Sequence, residues 1–184
     1  MKEYAEEGYR YAVSVDLSKY FDTLNHELLM NLLHRKIQDM RILRIIKKYL
    51  KSGVMENGVV CKTKEGSPQG GPLSPLLANI YLNEFDWEMC GRGVKTVRYA
   101  DDIVVFAKSK RAAERLMESS RKYLEGKLKL KMNTEKSKVT SVFAVEDFKF
   151  IKKRKRKNGS EIYIRAHRKW LNKAKEKLKL LTKR

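Results

Sequence analysis

Val94-Lys95-Thr96-Val97-Arg98-Tyr99-Ala100-Asp101-Asp102-Ile103-Val104-Val105-Phe106-Ala107 is the stretch that decides the fold. β-Branched and aromatic residues crowd both flanks, so each flank reads as a strand, with the acidic pair Asp101-Asp102 at the bend between them. Two adjacent like charges repel, and a divalent cation between them is one remedy. Asp is also common in solvated turns, where its side chain bonds its own backbone. The pair alone fits either reading.

A third carboxylate shifts the balance. Tyr11-Ala12-Val13-Ser14-Val15 reads as a buried strand that delivers Asp16 at its end, 85 residues before Asp101. That interval leaves room for helices while the two strands lie side by side in one sheet. Three Asp oxygens converging at strand ends make a hard-oxygen site of the kind Mg²⁺ prefers, leaving other positions to water and substrate phosphates. This is the donor set of two-metal phosphoryl or nucleotidyl transfer, in which one ion activates a hydroxyl and both stabilise an in-line displacement.

The chain has 184 residues, 42% of them hydrophobic, enough for one compact domain with an appended helix. The formal net charge is +20. Residues 148–184 hold 16 Lys and Arg against Glu161 and Glu176, so +14 of that charge lies in the last fifth of the chain. A basic tail on a nearly balanced domain points to a polyanion track beside a site that does chemistry. An anionic membrane surface or a plain solvated helix face are the other readings of such a segment. Two cysteines, Cys61 and Cys90, are too few for a zinc cluster and read as ordinary buried or half-buried thiols of a reducing compartment. No 18-residue apolar run is present and the amino terminus is acidic and polar, so the expectation is a soluble, cytoplasmic protein that avoids the membrane.

Along the chain, Asn25 reads as the N-cap of a helix through Leu33, and His26 as a first-turn helix residue rather than a ligand. A second helix from Arg41 to Lys51 is expected to carry Ile42, Ile45, Ile46 and Leu50 on its buried face. Val54 to Val60 reads as a hairpin closed by Asn57-Gly58. Ser67-Pro68-Gln69-Gly70-Gly71-Pro72-Leu73-Ser74-Pro75 holds all three prolines and leads into a long helix reaching about Cys90. Pro75 suits a helix start, Gly70-Gly71 permits close backbone approach, and Gln69 offers an amide. By itself this is a polar turn before a helix; beside three carboxylates it borders a nucleotide and its template. Lys110 to Gly126 reads as a helix with Ala113, Leu116, Met117 and Leu124 inward, Leu128 to Met132 as a strand edge, and Val139 to Ala144 as a strand. Short strands follow around Phe148–Ile151 and Glu161–Arg165, joined through Lys157 to Ser160, and a basic amphipathic helix begins at His167. The run Lys152, Lys153, Arg154, Lys155, Arg156 reads as a nucleic-acid contact, against a solvated hairpin or a targeting-like cluster.

In this order the motifs resemble the reverse transcriptase domain of group II intron-encoded proteins, the maturases. Asp16 to Asp22 is similar to the first catalytic block, Ser67 to Asn83 to the proline-glutamine-glycine block, and Tyr99 to Asp102 to the hallmark tetrapeptide. Lys127 to Lys138 and Arg165-Ala166-His167 are similar to later blocks. The resemblance implies an α+β polymerase palm: an antiparallel sheet with helices packed on one face, over residues 1–147, and a basic primer-grip-like hairpin with the start of a thumb helix over 148–184. It implies RNA-directed DNA synthesis from dNTPs on an RNA template and DNA primer, two Mg²⁺ ions for which Mn²⁺ can substitute, intron RNA as partner, and a cytoplasmic setting of bacterial or organellar type.

Carried over residue by residue, Asp16, Asp101 and Asp102 are the metal ligands, with the Leu17 carbonyl as a backbone ligand. Phe21 is the aromatic wall beneath the sugar, where a bulky ring clashes with a ribose 2′-OH and accepts deoxyribose; an ordinary core Phe is the plain alternative. Gln69 and Gly70 border the incoming nucleotide and Lys136 lies near its triphosphate. Tyr99 shapes the primer terminus, and Lys152 to Arg156 with Arg168 and Lys169 contact nucleic acid. The family carries more fingers sequence than precedes Tyr11 here, so the nucleotide pocket is expected to be incomplete. Ile151-Lys152-Lys153 replaces the family's Leu-Gly step in the primer-gripping hairpin. Neither a thumb beyond one helix nor a zinc endonuclease domain is expected. The competing readings are a catalytically inactive RNA-binding remnant and a retron or defence-type reverse transcriptase.

Overall fold

The computed structural model describes residues 2–52, 54–56, 59–61, 65–68, 70–143, 151–156 and 159–164. Its centre is an antiparallel sheet of β1 (Tyr11–Val15), β4 (Thr96–Tyr99), β5 (Asp102–Ala107) and β6 (Lys138–Ser141), in the order β4-β5-β1-β6. The register runs Tyr11↔Ala107 to Val15↔Ile103 between β1 and β5, and Tyr11↔Ser141 to Ser14↔Lys138 between β1 and β6. Alternate side chains leave a strand on opposite faces. Val13, Val15, Ile103 and Val105 enter a large core, while Ala12, Val104 and Phe106 enter a smaller one behind it. Because both faces are covered, β5 reads as a continuous apolar run rather than an alternating one.

The large core is closed by α2 (His26–His34), α3 (Met40–Lys51), α4 (Ser74–Gly91) and α5 (Lys110–Gly126). Each start follows from local chemistry. Asn25 accepts from the Leu28 N–H at 2.9 Å, Asp39 from Arg41 N–H at 2.8 Å, and Ser109 from Ala112 N–H at 3.2 Å. Pro75 sits in the first turn of α4, where its missing N–H is not needed. The helices thus pack on one sheet face, as the palm reading requires. The opposite face carries a short helix, α1 (Lys2–Glu6), which brings Ala5 onto the small core and sets Tyr4 edge-on to Phe106 at 5.4 Å. Sequence patterning did not single out α1.

Four expectations need correction. In α3 the buried stripe is Leu43, Ile46 and Leu50, whereas Ile42 and Ile45 point to solvent, Ile45 being 66% exposed. Two apolar stripes coexist on this helix, and the side packed against α2 is the one that is buried. Leu128 to Met132 is not a strand but an irregular segment that makes an isolated bridge, Leu17↔Met132, just past the end of β1. Cys90 is exposed, because α4 turns its neighbour Met89 inward. The basic run is itself a strand, β7 (Ile151–Arg156), paired with β8 (Gly159–Ile164) from Ile151↔Ile164 to Arg156↔Gly159, so it lies further along the chain than the expected strand around Phe148.

The hairpin expected over Val54 to Val60 is present as β2 (Val54–Glu56) and β3 (Val59–Cys61), closed by Glu56↔Val59. The end of the expected strand at Ala144 and the helix from His167 lie outside the described residues. No helix among the described residues is long and apolar enough to cross a membrane.

Candidate active site

The acidic turn is a two-residue hairpin loop, since Tyr99 pairs with Asp102 across it. Ala100 takes a positive φ of 53° while Asp101 does not, the pattern of a type II′ turn, in which glycine is usual at the first central position. Here a residue with a Cβ is held there by side-chain chemistry. Arg98 Nη1 donates to the Ala100 carbonyl at 3.0 Å and to Asn79 Oδ1 at 2.8 Å. Its Nε and Nη2 donate to the Asp86 carboxylate at 2.9 and 2.5 Å. Asn79 and Asp86 belong to α4, so this guanidinium ties the turn to the helix beneath it. Such a bidentate fork restricts geometry as well as adding energy.

Asp16 reaches the same place from β1. Val15, the last residue of β1, pairs with Ile103, so Asp16 leaves its strand at the end of the sheet where the Asp101–Asp102 turn lies. Asp16 is half-buried and both turn carboxylates are exposed. The backbone of Asp16 is clasped from the far side of the sheet. Its N–H donates to Ser137 Oγ at 3.0 Å, and its carbonyl accepts from the Asn133 N–H at 2.9 Å. Asn133 Oδ1 in turn accepts from the N–H groups of Glu135 and Lys136, at 3.1 and 3.2 Å. Lys136 is exposed in this turn, next to the serine that holds Asp16.

The first catalytic block and the proline-rich loop are stitched together. A 3₁₀ turn over Tyr20–Asp22 presents Phe21, whose carbonyl accepts from the Ser67 N–H at 2.7 Å. Phe21 is half-buried against the large core, its ring 5.4 Å from that of Tyr20. Tyr20 is buried and its hydroxyl donates to the Ala78 carbonyl. Burial raises its phenol above the ordinary range despite the opposing field of Arg98, and Asp101 is near enough to add to the rise. The Gly66 N–H donates to the Leu24 carbonyl at 2.8 Å, and His26 Nε2 lies 2.6 Å from the Gly66 carbonyl. His26 is therefore a helix residue tied to the loop, as its position in the first turn indicates.

Further along the loop, Ser67 Oγ donates to Ser74 Oγ at 2.7 Å, and Ser74 Oγ to the Pro68 carbonyl at 2.6 Å. Tyr49 of α3 completes this knot, its hydroxyl 2.8 Å from Ser74 Oγ. Gly71 is required there, because a Cβ on it would fall 1.9 Å from the Tyr49 hydroxyl. Gly70 is exposed at φ +79° with open space around it, which suits approach by a ligand.

The remaining expected residues divide cleanly. Leu17 is buried and bridges to Met132; Tyr99 is 83% exposed at the turn. Lys152, Lys153, Arg154, Lys155 and Arg156 form the backbone of β7. Gln69, Arg168 and Lys169 lie outside the described residues. Sequence patterning missed Arg98, Asp86, Asn79, Asn133 and Ser137, which position the carboxylates. An arginine inside an apolar strand that enters an acidic turn was the one visible signal.

The donor set suits a divalent cation: one carboxylate follows the end of β1, two sit at the adjoining β4–β5 turn, and all ligand atoms are hard oxygens. Among the described residues no three His, Cys, Asp or Glu side chains are already gathered into a cage.

A palm-type sheet with carboxylates at the ends of neighbouring strands and helices behind it defines a template-directed polymerase fold. That fold is shared with telomerase of Candida tropicalis truncated from its C-terminal domain, at TM-score 0.58 and 16% identity over 71% of this chain and 30% of that one. Residues 2–180 match the family described as reverse transcriptase (RNA-dependent DNA polymerase), and the chain belongs to that family.

Its relatives include Protein YkfC of Escherichia coli (strain K12), 36% identical over 80% of this chain and 48% of that protein. The group II intron-encoded protein LtrA of Lactococcus lactis subsp. cremoris is 49% identical over 43% of this chain and 13% of that protein. Retron Ec86 reverse transcriptase of Escherichia coli is 28% identical over 55% of this chain and 30% of that protein. The chain thus spans about half the length of the first of these and less of the others.

Proposed function

We propose that this chain carries the catalytic palm of an RNA-directed DNA polymerase of group II intron type, adding dNTPs to a DNA primer on an RNA template. The observation that supports the reading is the pairing of β1 with β5 up to Val15↔Ile103, which brings Asp16 to the same end of the sheet as the Asp101–Asp102 turn. Asp16, Asp101 and Asp102 would hold the cation, Mg²⁺ as two ions with Mn²⁺ able to substitute, and the Leu17 carbonyl is the backbone donor beside them. When bound, such ions supply activation of the primer hydroxyl and neutralise charge on the transferred phosphate.

The protein's part is placement. Arg98 holds the Ala100 carbonyl, and Asn133 with Ser137 holds the Asp16 backbone, so the carboxylates arrive on fixed strands rather than mobile loops. Phe21, anchored through its carbonyl to Ser67, walls the sugar site and disfavours a 2′-OH. Gln69 and Gly70 border the nucleotide and Lys136 faces its phosphates. Tyr99 meets the primer end, and the β7 cations with Arg168 and Lys169 follow the RNA, intron RNA among them. The setting is cytoplasmic.

Primer extension on an RNA template by the purified full chain tests this. Divalent-dependent dNTP incorporation is expected, and Asp101→Asn or Asp102→Asn should lower it by about a hundredfold or more, as removal of a preorganised charge does. Incorporation that survives both substitutions overturns the reading. So does RNA binding with no incorporation by the unsubstituted protein, which makes the chain an RNA-holding remnant.

A further inference from the structure

Away from the carboxylates, α2 and α3 diverge around a cleft of about 1040 Å³ that the polymerase reading leaves unused. Its floor is apolar, with Leu43 and Leu50 buried at its base, and one wall is basic. Arg44, Lys47 and Lys51 line that wall at intervals of three and four residues, which places them on one side of the helix. All three are exposed, and none has an ion-pair partner among the described residues. Glu27 is the one carboxylate among the described residues of the lining.

At a rise of about 1.5 Å per residue, the three cations span about 10.5 Å along the helix. A stacked nucleic-acid strand advances about 3.4 Å per phosphate, so that span matches about three phosphate-to-phosphate steps. The cleft also leads somewhere. Its α2 wall begins at Asn25 and His26, and these residues touch Glu65 and Gly66, in the segment whose Gly66 and Ser67 N–H groups donate to the Leu24 and Phe21 carbonyls.

We infer that the α2–α3 cleft is a backbone track for single-stranded RNA running to or from the palm, with Arg44, Lys47 and Lys51 as its phosphate contacts. The exposed amide of Asn31 and the apolar floor face the strand's sugar and base edges. The assignment rests on the reading that this chain handles RNA, but it uses none of the carboxylates. It is therefore tested by binding rather than synthesis, and the two can fail separately.

The experiment is the salt dependence of binding of a labelled, unstructured oligouridine to the full chain. For a single strand each phosphate contact contributes about 0.7 to the slope of log K against log salt. The triple variant Arg44→Ala/Lys47→Ala/Lys51→Ala should lower the slope by about 2 and weaken binding about a hundredfold at 0.1 M salt. The charge-matched variant Lys48→Ala/Arg111→Ala/Arg115→Ala, whose residues lie outside the cleft, should keep the parent slope.

An unchanged slope in the cleft variant overturns the proposal, as does an equal loss in the charge-matched one, which would reflect only the overall field of the molecule. Loss of anionic-vesicle binding in the cleft variant with RNA binding intact overturns it too, in favour of a membrane contact. A second measurement needs no substitution. Bound oligouridine should shield Lys47 and Lys51, but not Lys48, from amine acetylation, and equal reactivity of all three would sink the idea.

Discussion

Replacing Arg98 with methionine keeps an unbranched apolar stem and removes the guanidinium that joins the acidic turn to α4. The structure sets the size of the effect. Arg98 is 14% exposed and Asp86 33%, so their ion pair is neither fully buried nor a surface pair. Breaking a buried pair costs about 3–5 kcal/mol and losing an exposed one about 0–1 kcal/mol. Asp86 retains enough water contact to place this pair at about 2 kcal/mol, between those bounds. The lost hydrogen bonds to Asn79 Oδ1 and the Ala100 carbonyl add roughly 0.5–1.5 kcal/mol each, partly offset by water at the exposed turn.

The expected total is about 3 kcal/mol, a fall in Tm of about 6–12 °C for a domain of this size. Urea unfolding of the parent, Arg98→Met, Asp86→Leu and the double variant measures it as a cycle. The double variant should cost little more than either single one, because no carboxylate is then left unpaired. Since the same guanidinium steadies Ala100, Arg98→Met should also lower primer extension more than tenfold under conditions where it remains folded. Additive losses, or a loss below about 0.5 kcal/mol, would show that the arginine is solvated in solution and that the turn holds its shape without it.

Two other perturbations follow from the same geometry. Gly71→Ala sets a methyl against the Tyr49 hydroxyl and should destabilise by about 1–3 kcal/mol in thermal or urea unfolding, with Tyr49→Phe added to it recovering part of the loss; no loss, or no recovery, would mean that the loop knot is open in solution. Alkaline unfolding tests the buried phenols: burial pushes Tyr81 up to about 12 and raises Tyr20 as well, so the folded chain keeps protons that the unfolded chain begins to release near pH 10. Stability from these groups is intact below about pH 10 and is lost as pH rises to about 12, and Tyr81→Phe should flatten that decline. A decline unchanged by the substitution would place its origin elsewhere.

The elements that sequence patterning identified are those whose cause is local. β1 and the hairpin of β4 and β5 follow from β-branched runs around a two-residue turn. The starts of α2 and α5 follow from Asn25 and Ser109, which bond the third residue on. Helix α3 shows where that logic stops. Its apolar residues make two stripes, both compatible with a helix, and only packing against α2 selects Leu43, Ile46 and Leu50 over Ile42 and Ile45.

Asp16, Asp101 and Asp102 were legible because each sits at the end of a recognisable strand or in its turn. The groups that hold them were not. Ser137 bonds Asp16 across 121 residues of chain, Arg98 needs Asp86 on a different element, and Gly71 is fixed by a tyrosine 22 residues earlier. The sequence by itself determined the strands, the helix caps and the three carboxylates, since short-range sterics and side-chain-to-backbone bonds set these within a few residues. Only the tertiary structure decided that Asp16 and the Asp101–Asp102 turn share one end of the sheet, which helix face is buried and which residues brace the turn, because sheet register and packing alone bring such distant groups within hydrogen-bonding reach.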